Sequence, residues 1–313
     1  MHLCSSTMIK HFHHTHFLPL DTLVRKKESA EATVSVVIPA LNEAATIGPI
    51  ITEIKKNLME RHPLVDECIV IAGKSSDNTE AVARNSGATV YPIDEIASDT
   101  SVRLGKGTAL WKSLHVAKGD IIVSIDADIT NFDSRFVYGL IGPLLDDQKL
   151  SFVKAFYERP LVFKDALLDN YGGRVTEILV RPFLSTFYPE LARFRQPLSG
   201  EYSFRREIIM EIPFLSGYSI EIGTILYLYK YHGLDIFAQT DMGIRQHRNR
   251  PVEELGKMSF RILQFLIRFL KEDGTISLNR EINTEMITGL QAEVNAFHTD
   301  EIVLPKLSNY RSM

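Results

Sequence analysis

Asp126 and Asp128 stand two residues apart at the end of an apolar run, Asp120 to Ile125 (DIIVSI). A buried strand ending there presents both carboxylates at its carboxyl edge. Carboxylates so placed can share a hard divalent cation such as Mg²⁺ or Mn²⁺, which takes oxygen ligands and accepts substrate phosphates for the rest. The plainer reading is a solvated strand-end turn, and for an isolated Asp-x-Asp it prevails. The strongly apolar strand before this pair, and the order of elements around it, favour the cation.

Other clusters offer complementary chemistry. Pro39-Ala40-Leu41-Asn42-Glu43 ends one strand and opens a helix. Its backbone N–H groups and polar side chains suit a nucleoside and its ribose hydroxyls; an ordinary Asn42 cap is the alternative. Gly105-Lys106-Gly107 opens another helix with a pliant backbone and one cation suited to a diphosphate. It lacks the Walker A spacing, and a loop glycine pair beside a surface lysine explains it equally well. Gly172-Gly173-Arg174-Val175-Thr176 sets backbone donors, a guanidinium and a hydroxyl at a helix start, a cradle for phosphate or carboxylate. In Arg245-Gln246-His247-Arg248-Asn249-Arg250, His247 is a candidate third metal ligand, and Arg245 and Asn249 face small anions. A lone histidine is more often structural, and the cations around this one bring the two readings level. His11, His13, His14 and His16 read as an arm that packs on the domain and forms no site.

These residues must be held by a scaffold, and the pattern supplies one. Val34 to Ile38, Cys68 to Ala72, Ala88 to Tyr91 and Asp120 to Ile125 read as strands. Ala44 to Arg61, Asp77 to Ser86 and a segment with Trp111 and Leu114 on one face read as helices. Alternating strands and helices imply a doubly wound parallel sheet, which binds ligands beyond the carboxyl ends of its strands. Asn42 and Glu43, Gly73 to Ser76, and Asp126 with Asp128 all fall at such ends. Farther on, Ser151 to Tyr157 and Ile236 to Thr240 read as strands. Val175 to Phe187 (broken near Pro182), Ser219 to Tyr231 and Glu254 to Lys271 read as helices, with one more helix allowed in the polar tail.

Composition sets the limits. The 313 residues carry a formal charge of −4 and 45% hydrophobic residues, ordinary for a globular chain and without the basic field that nucleic acid or anionic lipid requires. No uncharged apolar run approaches the length that spans a bilayer. Residues 1–17 have no apolar core of a secretory signal, and Met8 offers a second candidate start. Cys68 lies in an apolar run as a buried thiol. With Cys4 the only other cysteine, no disulfide framework is expected, which fits a reducing compartment.

From about Phe12 to Arg250 the chain resembles the glucosyl-3-phosphoglycerate synthases, retaining glycosyltransferases. The resemblance rests on VSVVIPALNE (34–43), GKGTALWKSL (105–114), IDAD (125–128), FVKAFYERPL (152–161), GGRVTE (172–177), QPLSGEY (196–202), GYSIEIG (217–223) and IRQHRNR (244–250). It implies an α/β GT-A fold, a Rossmann-like nucleotide-sugar-binding architecture with a mostly parallel central sheet. Residues 1–31 would be an N-terminal arm and 32–250 the catalytic domain (nucleotide-sugar half about 32–130, acceptor half about 131–250). Residues 251–313 would be a C-terminal helical extension. It implies transfer of glucose from UDP-glucose to 3-phospho-D-glycerate with retention, assisted by Mg²⁺ (or Mn²⁺), in a cytoplasmic homodimer that touches neither membrane nor nucleic acid. In the family the product feeds glucosylglycerate, a compatible solute, or methylglucose polysaccharides.

Carried over by position, Pro39, Ala40, Leu41, Asn42, Glu43, Gly73, Ser75, Lys106, Ala127 and Arg245 would bind the donor. Asp126, Asp128 and His247 would hold the metal, and Leu198, Tyr218 and Glu221 would surround the glucose. Glu221, Asp128 and Leu198 would sit at the catalytic centre, with Glu221 positioning the sugar. Gly173, Arg174, Val175, Thr176 and Asn249 would bind the acceptor. One departure stands out. Many relatives carry an acidic residue at the start of the loop after the second strand, where this chain reads Ala72-Gly73-Lys74-Ser75-Ser76-Asp77. The choice between uracil and guanine therefore stays open. So do a mannosyl- or glucosyltransferase with a GDP- or ADP-linked donor, and a non-catalytic nucleotide-sugar-binding protein. A polyprenyl-phosphate transferase is disfavoured by the lack of a membrane segment.

Overall fold

A computed structural model describes residues 8–98, 105–159, 161–163, 166–168, 173–246, 251–288, 295–298 and 301–309. In chain order the elements begin with β1 (Lys10–His13), α1 (Leu20–Ser29), β2 (Val34–Ala40), α2 (Ile47–Glu53), β3 (Glu67–Ala72), α3 (Thr79–Asn85) and β4 (Thr89–Pro92). There follow α4 (Lys106–Val116), β5 (Ile121–Ser124), α5 (Arg135–Asp146), β6 (Phe152–Glu158), and a hairpin of β7 (Leu161–Phe163) with β8 (Ala166–Leu168). Then come α6 (Arg181–Phe187), β9 (Tyr202–Arg205), α7 (Arg206–Met210), β10 (Phe214–Leu215), α8 (Ile220–His232), β11 (Phe237–Ile244) and α9 (Val252–Glu272). The tail adds β12 (Glu285–Thr288), β13 (Asn295–His298) and β14 (Val303–Leu304).

Eight strands form one sheet in the order β1-β11-β6-β9-β5-β2-β3-β4. All neighbours pair in parallel except β9, which is antiparallel to both β5 and β6. From β2 the chain steps outward to β3 and β4, then returns to β5 on the other side of β2. That reversal is the switch point at which such sheets open a ligand crevice. Because β9 runs the other way, its entry residues 198–201 arrive at the edge where β5 and β6 end.

Both faces of the sheet are covered, so the central strands read as continuous apolar runs. Alternation sorts them into two cores. Val34, Val36, Ile38 and Ala40 of β2 face the layer of α1, α2, α3 and α5, while Val37 faces that of α4, α6, α8 and α9. In β3, Cys68 and Val70 go one way, Ile69 and Ile71 the other. Each fully buried Val or Ile contributes roughly 1.5–3 kcal/mol relative to exposure.

Elements expected from the sequence are present with ends shifted by at most four residues, and three differ in kind. The helix expected over 44–61 is α2 continued by a wider π-helical turn over Ile54–Arg61; its stripe Ile47, Ile50, Ile51, Ile54 and Leu58 is fully buried. The break near Pro182 is a π-helical turn over Thr176–Val180, after which α6 carries Pro182 in its first turn, where a missing N–H costs least. Among its described residues the tail forms short strands, β12 pairing with β13 and β14 with β10, and a single 3-10 turn over Leu307–Asn309 where one more helix was allowed. In the histidine-bearing segment, His11 and His13 lie on the edge strand β1, in register with β11 (Lys10 opposite Ala238), and His14 and His16 in the 3-10 turn after it. His11 is bonded to Gln239 and His14 to Tyr138 Oη. Among the described residues no helix is long and apolar enough to cross a membrane.

Candidate active site

The carboxyl edge of β2, β3 and β5 opens into a cavity of about 690 Å³. Asp126 and Asp128 emerge from β5 into it, and two buried or half-buried cations reach them from opposite sides. Lys106, in the first turn of α4, places Nζ 2.6 Å from Asp126 Oδ1 and 2.8 Å from Glu221 Oε1. Arg245, just past β11, places Nη2 2.8 Å from Asp128 Oδ1, 3.3 Å from Asp126 Oδ2 and 2.9 Å from Glu201 Oε1. The result is a chain of alternating charge: Glu221, Lys106, Asp126, Arg245, with Asp128 and Glu201 both on the guanidinium.

Burial disfavours each charge, and the pairing overrides it. Burial works against the Lys106 ammonium, yet Asp126 and Glu221 hold its pKa well above the ordinary lysine value. Burial likewise works against the Asp126 carboxylate, but Lys106 and then Arg245 hold it far below the usual carboxylate range. Asp126 therefore stays ionised throughout the physiological range.

Close backbone packing explains the glycines around this chain. A Cβ on Gly105 would lie 2.4 Å from Ser216 O, and one on Gly107 would lie 1.7 Å from Leu215 O. Only glycine lets α4 start against β10 and its following loop, and that contact delivers Lys106 to the carboxylates. The glycine pair is thus a packing requirement that serves the site.

The Pro39–Glu43 segment divides in two. Pro39, Ala40, Leu41 and Glu43 line the cavity, as does Gly73. Asn42 and Ser75 do not: Asn42 adopts φ +59°, its N–H donates to Ser75 Oγ at 3.0 Å, and its Oδ1 accepts from Ser76 N at 2.7 Å. Asn42 fastens the two loops together, as Thr46 Oγ1 does by donating to Ala127 O at 2.6 Å. Lys74 also lines the cavity and pairs with Asp94 at 2.9 Å.

Across the opening, Gly173, Arg174, Val175 and Thr176 line the same cavity, together with Leu198, Tyr218, Ala127 and Glu221. Gly173 has φ +80°, a conformation that glycine adopts without strain. Gly172, His247 and Asn249 lie outside the described residues. Among the described residues no three His, Cys, Asp or Glu side chains gather as a metal site. Asp126 and Asp128 alone still fit a hard divalent cation, because the two carboxylates offer oxygen ligands side by side at the cavity.

Several residues at the site carried no assigned role in the sequence. Glu201 is fully buried; besides Arg245 it accepts from Tyr157 Oη at 2.5 Å, and that oxygen accepts from Arg159 Nη2 at 2.7 Å. Lys154, fully buried on β6, sits with Nζ 4.3 Å from the centre of the Tyr202 ring and has no hydrogen-bond partner among the described residues. Arg261 and Met258 of α9 and Glu301 of the tail line the cavity. The one local signal for Lys154 was a charge inside the apolar run Phe152 to Tyr157, and Glu201 had none.

Comparison with known proteins extends the geometry. Residues 35–197 match the glycosyl transferase family 2 model. The chain is 43% identical to the glucosyl-3-phosphoglycerate synthase of Petrotoga mobilis over 276 residues, 88% of this chain and 85% of that one. The chain belongs to the glucosyl-3-phosphoglycerate synthase family, within glycosyl transferase family 2. The GT-A fold expected of that family is the one observed. Among solved structures, the glucosyl-3-phosphoglycerate synthase of Mycobacterium tuberculosis in complex with Mn²⁺, UDP-glucose and phosphoglyceric acid superposes with a TM-score of 0.84 at 38% identity, covering 97% of this chain and 99% of that one. The mannosyl-3-phosphoglycerate synthase of Rubrobacter xylanophilus superposes with a TM-score of 0.88 at 35% identity, covering 97% and 96%.

Proposed function

We propose that this chain transfers glucose from UDP-glucose to 3-phospho-D-glycerate with retention, giving glucosyl-3-phosphoglycerate and UDP. One observation carries the reading: the Asp126–Lys106–Glu221 chain and the Gly173–Thr176 cradle open into one cavity. A donor diphosphate and an anionic acceptor are thereby brought to a common point, the proximity on which a group transfer depends.

In the reaction the bond from the anomeric carbon to the β-phosphate oxygen breaks. A bond to the acceptor's 2-hydroxyl oxygen forms on the same face, and the hydroxyl proton passes to the departing phosphate. Lys106 faces the charge that develops on that phosphate, and Glu221, held by Lys106, orients the sugar. Arg174 and Thr176, with the backbone donors of their helix start, hold the acceptor's phosphate or carboxylate. Asp126 and Asp128 would hold Mg²⁺ or Mn²⁺, which supplies electrostatic stabilisation of the diphosphate. His247 and Asn249 are proposed to complete the metal and acceptor sets. The same reading makes the chain a cytoplasmic homodimer.

The Rubrobacter relative's name supports a second reading, with mannose in place of glucose, and Lys74 paired to Asp94 is the sequence departure at the base end of the cavity. A nucleotide-release assay decides. Release from UDP-glucose that needs 3-phosphoglycerate and stops with a chelator supports the first reading. Release only from GDP-mannose moves the donor, and silence with every donor overturns both.

A further inference from the structure

Residues 301–304 run along the segment that leads into α8. Beyond the β10–β14 pairing, Ser216 N donates to Ile302 O at 3.1 Å and Ile302 N donates to Ser216 Oγ at 3.0 Å. Glu301 then turns its carboxylate onto the start of the helix. Its Oε1 accepts from Gly217 N at 3.0 Å and Ser219 N at 2.9 Å, and its Oε2 accepts from Ser219 Oγ at 2.8 Å. Ser219 is the cap residue of α8 but makes no cap bond with its own side chain. A carboxylate from more than 80 residues farther along the chain does what a capping side chain ordinarily does locally, satisfying backbone donors and meeting the positive end of the helix dipole.

What this cap holds is the donor wall. Tyr218 lies between the two N–H groups that Glu301 binds, and Glu221 follows in the first turn of α8, where it meets Lys106 at 2.8 Å. Arg261 of α9 stands 5.8 Å over the Tyr218 ring. On the other side, Ser216 O accepts from Thr108 N at 3.1 Å, two residues from Lys106. Both carboxylate oxygens of Glu301 are engaged by the protein although the residue lines the cavity. Its contacts are therefore with the residues that shape the site.

We infer that Glu301 is a positioning residue for donor binding: by capping α8 it fixes Tyr218 and Glu221 against Lys106, and it makes the C-terminal tail a working part of the nucleotide-sugar site. The inference rests on the proposed UDP-glucose reading.

The test uses the full chain carrying Glu301→Ala, Glu301→Gln or Ser219→Ala. Loss of hydrogen bonds to a charged group corresponds to about tenfold or more. Glu301→Ala is expected to lower kcat/KM for UDP-glucose by that factor, leave the KM for 3-phosphoglycerate within about twofold, and be largely rescued by Glu301→Gln, which keeps a carbonyl acceptor for both N–H groups. A lowered melting temperature with donor kinetics unchanged would make Glu301 a staple of the fold and overturn the inference. If Glu301→Ala does not fold, Ser219→Ala decides on the same donor-against-acceptor split. If the unmodified chain turns over no UDP-glucose, the functional reading fails on its own. The variants are then compared by calorimetric binding of UDP with Mn²⁺, where weakening in Glu301→Ala supports the inference and equal affinity overturns it.

Discussion

Gly200 lies directly behind the Asp126 carboxylate: a Cβ built on Gly200 would fall 2.1 Å from Oδ2 and 2.3 Å from Oδ1. Both residues lie two positions beyond the last β5–β9 pair, Ser124 opposite Tyr202, so their backbones are held close and the carboxylate side chain is the part that must give way. Asp126 in turn holds Lys106 and Arg245. Gly200→Ala should therefore swing the carboxylate away from both cations and lower kcat by about a hundredfold or more. The accompanying loss of stability should be about 1–3 kcal/mol, as for an overpacked core. Near-normal turnover in a folded Gly200→Ala protein would show that the position of Asp126 is not critical.

Asp128→Ala tests the metal assignment. Arg245 would keep Asp126 and Glu201 as partners, so the fold should survive. Activity should fall on the order of a thousandfold, the scale of several kcal/mol of lost charge stabilisation. Chelation should reproduce the loss in the unmodified chain, and excess Mn²⁺ should restore the chelated enzyme but not the variant. Retained turnover in Asp128→Ala would remove this carboxylate from the metal site.

Arg174→Ala separates acceptor from donor. A charge-assisted contact to phosphate or carboxylate is worth roughly 1.5–3 kcal/mol. The KM for 3-phosphoglycerate should then rise about ten- to a hundredfold, while that for UDP-glucose stays within about twofold. Equal changes in both would place Arg174 outside the acceptor cradle.

These three positions differ in how far the sequence alone revealed them. Asp126, Asp128 and Lys106 sit at strand-to-helix turns of a regular α/β pattern, where a short window contains both the element and its site. Arg174 belongs to the same class. Glu201 and Gly200 do not: they reach the site because β9 runs antiparallel, a pairing with no local signature. Lys154 showed only as a charge in an apolar strand; its burial depends on β9, whose Tyr202 ring lies 4.3 Å from its Nζ. The tail strands were not legible because β14 is only two residues long and its pairing with β10 is wholly non-local. Asn42 was legible as a polar residue at the right edge, but its loop-to-loop bonding depends on Ser75 and Ser76 in another turn.

Lys154 supplies a prediction in pH. Burial pushes its ammonium down to about 7, against the pull of Glu221 and Glu201 and with a further push from Lys106; Asp126 also acts on it, and the Tyr202 ring covers its Nζ. In the unfolded chain the same lysine titrates near 10.5. Between those values the unfolded state holds more protons than the folded one, so this residue's contribution makes the ligand-free chain more stable as pH rises, by up to about 1.4 kcal/mol per pH unit. Below about pH 7 the ammonium is charged in both states and its burial cost is felt in full. Lys154→Met removes this titration. Relative to the unmodified chain, the variant should gain stability most at or below pH 7, and the gap should narrow steadily towards pH 9.5. Urea unfolding midpoints of both proteins at matched pH values measure it. Parallel profiles across that window would mean that Lys154 keeps its proton in the core.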